Sequence, residues 1–146
     1  MGMRTVRILA LPLLGLLCAP EVPADSFDLD PRLQAAVDQY RQEGAEQALP
    51  EFERLAKEFA RGAPPRQHAA ALHYVGESHW RLGQYDEARQ YLDRALAIER
   101  KAGDAMGEAR TLNVLGLLEW DLGDYGQATQ RFRSAGAIAR ENGDRR

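Results

Sequence analysis

Three histidines, a Ser-His neighbour pair, paired carboxylates and one cysteine are the residues from which chemistry would have to be built. His68, His73 and His79 stand five and six residues apart, not at the i, i+4 spacing that sets two imidazoles on one helical face for a metal. They read as surface or groove residues. Ser78 and His79 adjoin, but neighbours on a helix point in different directions and form no nucleophile–base pair. Pairs such as Asp86-Glu87 and Glu51/Glu53 fall on faces expected to be solvated, and paired acids need a cleft before their pKa values part. Gly-x-Ser-x-Gly, His-Glu-x-x-His and phosphate-binding loops are all missing from the sequence. The expectation is a protein that is not an enzyme, with no catalytic residue, no cofactor and no metal ligand.

The bulk numbers point the same way. The chain has 146 residues, 19 Lys+Arg against 22 Asp+Glu and a net charge of −3, room for one compact domain or a short repeat array. A mildly acidic balance argues against a nucleic-acid partner, which calls for a basic face. Hydrophobic residues make up 45%, enough for a packed core. One cysteine, Cys18, excludes an intramolecular disulfide framework and a thiolate cluster.

Residues 1–24 read as an address. Arg4 and Arg7 precede an apolar run from Ile8 to Leu17, and Val22-Pro23-Ala24 offers small residues where a signal peptidase cuts. Cleavage is placed after Ala24. A membrane anchor is the first rival, but ten apolar residues fall short of the about 20 that span a bilayer. Acylation of Cys18 as a lipoprotein is the second, and Leu17 stands where such signals want a small residue. Removing Arg4, Arg7 and Glu21 takes the counts from 19 and 22 to 17 basic and 21 acidic, net −4, and leaves no cysteine. That suits an oxidising compartment, so the protein is expected to be exported, periplasmic in a bacterium or secreted, with no membrane span after cleavage.

The rest, 25–146, repeats itself. Shifted by 40 residues, His68–Asp104 aligns with Glu108–Asp144, and fifteen of the 37 pairs are identical. They include Gly76/Gly116, Trp80/Trp120, Gly83/Gly123, Tyr85/Tyr125, Ala88/Ala128 and Ile98/Ile138. A fainter copy lies upstream, with Ala36, Tyr40, Ala48, Phe52 and Leu55 in register. Such a period marks an array of supersecondary units, here about 29–64, 65–104 and 105–144. Each unit reads as two helices. Leu72, Val75, His79 and Leu82 recur at helical steps, and Tyr85, Ala88, Leu92, Ala95 and Ile98 mark a second stripe. The expected spans are about 30–43, 46–61, 66–82, 85–102, 105–122 and 125–141. Gly83 and Gly103 close helices; Asp124/Gln127 and Gln84/Glu87 resemble capping boxes; Pro31 and Pro65 suit a first turn. Gly76 and Gly116, interior to helices, imply close approach of a partner helix.

The run from Leu72 to Ala95, Leu-x-x-Val-Gly-x-x-x-Trp-x-x-Gly-x-Tyr-x-x-Ala-x-x-x-Leu-x-x-Ala, resembles the tetratricopeptide repeat, as does Leu112 to Ala135. The 40-residue period resembles the longer variant of kinesin light chains and bacterial regulators. The resemblance implies an all-α fold, a right-handed α-solenoid of three helix-turn-helix repeats. The first repeat departs from the pattern. Ala45 stands where Tyr85 and Tyr125 do, and Pro50 falls early in its second helix, so that repeat is expected to be distorted and to act as a cap. The prolines usual after the second helix are replaced by Arg100 and Arg140.

The family implies an interaction module that takes a partner protein's peptide or helix in a concave groove lined by the first helices. Position by position, that groove presents Leu33, Val37, Tyr40 and Arg41, then His73, Glu77, Trp80 and Arg81, then Arg110, Asn113, Leu117, Trp120 and Asp121. Tyr40, Trp80 and Trp120 are the favoured contact set; the alternative is that these rings wedge between helices as core. The carboxylate clamp for heat-shock chaperone tails maps onto Leu33, Val37, Tyr74, Arg110 and Val114, and only Arg110 fits. Solenoids usually finish on a polar capping unit, whereas Phe132, Ala135 and Ile138 would face an uncovered side. A structural role follows as the alternative function: assembly or homodimerisation through that end, or the front part of a larger signalling or protease-like protein.

Overall fold

A computed structural model describes residues 29–143. The address segment, its cleavage site and Cys18 lie outside the described residues. The chain forms six helices, α1 (Pro31–Glu43), α2 (Ala45–Phe59), α3 (Pro65–Arg81), α4 (Tyr85–Ala102), α5 (Ala105–Asp121) and α6 (Tyr125–Gly143), with no strand among the described residues. They pair as α1/α2, α3/α4 and α5/α6, and each pair packs on the next through α2 against α3 and α4 against α5. This is a helical-repeat solenoid of three units.

The punctuation is local chemistry. Asp30 accepts from the Arg32 amide ahead of Pro31, Asp104 from the Gly107 amide at 3.0 Å, and Asp124 from the Gln127 amide at 3.1 Å. Each carboxylate satisfies an amide that the first turn leaves unpaired and complements the helix dipole. Gly83, Gly103 and Gly123 take φ of 75°, 67° and 83°. Around each, the next amide reaches back five residues (Gln84 to His79, Asp104 to Glu99, Asp124 to Glu119, each 2.9 Å), the closing motif that a left-handed glycine permits.

Two sequence expectations are corrected. Gln84 does not cap α4; its side-chain oxygen lies 2.5 Å from His79 Nδ1. Pro50 does not interrupt α2, which runs unbroken from Ala45 to Phe59. It sits in the second turn, where the proline ring forgoes one amide bond to the Glu46 carbonyl, and Phe52, Leu55 and Phe59 are buried behind it. At about 1.5–3 kcal/mol per large apolar side chain, that packing outweighs the lost bond.

The core lies in two adjoining clusters. One gathers Leu33, Val37, Phe52, Leu55, Leu72 and Val75; the other gathers Leu92, Leu96, Leu112, Leu115 and Leu118. Gly76 and Gly116 do mark close approaches. A Cβ at Gly76 would stand 2.7 Å from Leu92 Cγ, and one at Gly116 would stand 2.6 Å from Phe132 Cε1.

Candidate protein-binding face

Tyr40 on α1, Trp80 on α3 and Trp120 on α5 occupy equivalent positions, and the fold treats them differently. Tyr40 is half-buried, edge-on to Phe52 and Tyr74 with centroids 5.9 and 6.4 Å apart, and its hydroxyl donates to Glu77 Oε1 at 3.0 Å. Burial and the Glu77 charge push the Tyr40 hydroxyl well above the usual phenol range. Trp80 is half-buried too, and its indole N–H donates to Asp121 Oδ2 at 2.8 Å. Trp120 is 54% exposed and lies edge-on to Tyr125 with centroids 4.8 Å apart. Tyr40 and Trp80 are therefore tied into the joints between repeats, while Trp120 presents its ring to solvent.

The polar residues of this face divide in the same way. Burial disfavours the Glu77 carboxylate, but His73, the Tyr40 hydroxyl and Arg81 outweigh it and hold the group at about 2. Arg81 lies over both the Tyr40 and Trp80 rings, 5.7 and 5.3 Å from their centroids, a cation–π clasp. Leu33 and Val37 belong to the core. Exposed on the same helices are Arg41, Arg81, Arg110, Asn113 and Trp120, with Leu117 half-exposed.

The histidines depart from the surface-or-groove expectation: His73 and His79 are buried and His68 is half-buried. His73 Nδ1 sits 3.0 Å from Thr111 Oγ1 and its Nε2 sits 3.6 Å from Glu77. Thr111 in turn donates to Glu99 Oε1 at 2.9 Å. His79 stacks on Tyr91 with centroids 5.4 Å apart. A polar chain thus runs Tyr40–Glu77–His73–Thr111–Glu99, touching all three repeats. Burial pushes Glu99 up to about 7, and its Oε2 has no hydrogen-bond partner.

Sequence reasoning missed Thr111, Glu99 and Glu119. Glu119 is fully buried, reached by Arg89 of α4 at 3.4 Å and Arg131 of α6 at 3.3 Å. The signal was available: Glu119 falls 40 residues after the stripe residue His79, and Glu99 lies four residues after Ala95 and seven after Leu92, so both continue a buried helical face. At the far end, Ala135 is buried, the Phe132 ring lies against Gly116, and Ile138 packs on the second cluster. Leu122 and Tyr125 are 52% and 58% exposed.

No group of three His, Cys, Asp or Glu placed to hold a metal occurs among the described residues, and no helix there is long and apolar enough to cross a membrane.

The tetratricopeptide-repeat family pattern matches residues 67–141, and the chain belongs to that family. Its repeats form protein–protein interaction modules. Among solved structures, the tetratricopeptide-repeat domain of Arabidopsis FLU is similar in fold, with a TM-score of 0.68, 24% identity, and coverage of 75% of this chain and 92% of that one. No curated protein matches the chain.

Proposed function

We propose that this is an exported interaction module whose first-helix face captures a peptide or helix of a partner protein, anchored at Trp120. The exposed indole carries the reading. Of three equivalent aromatic positions, it alone has no bond to a neighbouring repeat, and an accessible Trp on the helix that also exposes Arg110, Asn113 and, one turn before it, part of Leu117 has the composition of a binding hot spot. Among the groove positions each repeat supplies one exposed arginine, Arg41, Arg81 and Arg110, which favours a partner segment that carries carboxylates. Export rests on Arg4, Arg7, the apolar run and Ala24, and on a remainder free of cysteine.

The test is selection of binders from a displayed random-peptide library, followed by affinity measurement on the enriched sequences. Trp120→Ala is expected to weaken binding at least tenfold with helical circular dichroism unchanged, and Arg110→Glu to select different sequences. Binding untouched by both variants would move the site elsewhere. Trp80 is a poor probe, since its loss also frees Asp121.

A second reading, self-assembly through the last repeat, is favoured by the exposure of Trp120, Leu122 and Tyr125 around one turn. Leu122→Glu would then convert a dimer to a monomer in light scattering. A wild-type chain that is monomeric at high concentration removes this reading.

A further inference from the structure

On the far side of the second-helix layer, α4 runs three residues beyond the point where α2, in register, has already ended at Phe59. The connection through 60–64 does not fill the difference. It leaves an open cavity of about 660 Å³ between the first two repeats, within the roughly 300–1,000 Å³ of small-molecule sites. Its floor is apolar, from Phe59, Ala63 and Ile98, and Arg61 and Lys101 stand at its rim. Both cations are exposed. His68 also lines it, its Nε2 shut off from solvent without a hydrogen-bond partner. Burial, helped by the nearby Arg94 charge, lowers the pKa of this imidazole, which favours its neutral form.

No residue of this cavity belongs to the first-helix face, and the family reading gives it no role. We propose that it binds a monomeric long-chain carboxylate, the acyl chain lying on Phe59 and Ile98 and the head group held by Arg61 and Lys101. The charge pattern selects this occupant. A neutral apolar ligand would gain nothing from the two cations at the rim, a cationic amphiphile would be repelled, and an inorganic anion would gain nothing from the apolar floor.

The experiment uses the full chain and cis-parinaric acid, whose polyene fluorescence rises in apolar surroundings, with dodecanoate as displacer. Expected are saturable binding displaced by dodecanoate, at least fivefold weaker binding of the methyl ester, and at least tenfold weaker binding to the Arg61→Glu/Lys101→Glu variant, whose changes fall on exposed positions. Ala97→Phe, at an exposed lining position, should block the site, whereas Trp120→Ala should leave it unaffected. The proposal is overturned by no saturable binding to the full chain, by equal affinity for acid and ester, or by binding that survives both charge reversal and Ala97→Phe. Binding confined to anionic phospholipid vesicles and lost with monomeric dodecanoate would also overturn it, since the surface would then be a membrane contact.

Discussion

Thr111 of the third repeat donates its hydroxyl to the Glu99 carboxylate of the second at 2.9 Å, and both side chains are shut away from water. The carboxylate is held by one neutral donor. Asp104 and Glu108 add negative charge nearby, and Arg110 only partly offsets them. With Oε2 unpartnered, the joint tolerates the protonated acid better than the anion.

A pH dependence follows, with a definite sign. Glu99 titrates at about 7 in the fold against 4.5 for the free group. Between those values Glu99 holds a proton in the fold that it has lost in the unfolded chain, so its contribution to stability falls as pH rises from 4.5 to 7 and then levels. The span corresponds to about 3 kcal/mol. Urea unfolding followed by circular dichroism should show that decline, and Glu99→Gln should flatten it and raise stability at pH 8. A Glu99→Gln profile parallel to wild type would mean that the carboxylate is ionised in the fold.

Glu77 works in the opposite direction. Held at about 2 by His73, Tyr40 and Arg81, it contributes stability above pH 4.5 that is lost as pH falls toward 2. Tyr40→Phe removes one donor and should cost about 1 kcal/mol at pH 7, narrowing as pH falls toward 2. A cost independent of pH would assign Tyr40 a packing role alone.

Helix-interior glycines should respond to alanine in a fixed order. At Gly76 the new Cβ would meet Leu92 Cγ at 2.7 Å and the Leu92 amide nitrogen at 3.1 Å; backbone cannot step aside, and a net loss of about 1–3 kcal/mol is expected. At Gly116 the obstacle is the Phe132 ring, half-exposed and able to swing outward, so the loss is smaller. At Gly136 the nearest atom is Arg140 Nη1 at 3.6 Å, and alanine should stabilise by about 0.5–1 kcal/mol through helix propensity. Thermal unfolding of the three variants gives the order directly.

The fold was legible because its determinants are local and periodic. The spacing of Leu72, Val75 and Leu82, the glycines at 83, 103 and 123, and the aspartates at 104 and 124 each act within one or two turns, so helix ends fall within two residues of expectation. The division among Tyr40, Trp80 and Trp120 was not legible. Repeat spacing makes the three equivalent, whereas their roles depend on Glu77 and Asp121, one repeat onward. Gln84 shows the same limit: its spacing to Glu87 suits a cap, but His79, five residues back, captures its side chain. His73 was misjudged for a related reason, because its partner Thr111 is 38 positions away.

Glu119 offers the sharpest test of how the last two repeats are joined. Its carboxylate is fully buried, and Arg89 and Arg131 both reach its Oε1 from opposite sides, α4 and α6. Taking a carboxylate out of water is costly unless cations answer it. Removing both, as Arg89→Ala/Arg131→Ala, should therefore cost about 3–5 kcal/mol, more than exposed ion pairs account for. Adding Glu119→Leu to that double variant should restore much of the loss, because the buried charge goes with it. The signature is non-additivity: a third substitution that improves on the double. If the triple variant unfolds at lower urea than the double, the carboxylate contributes packing or solvent-bridged bonds of its own, and the joint between repeats two and three rests on more than this triad.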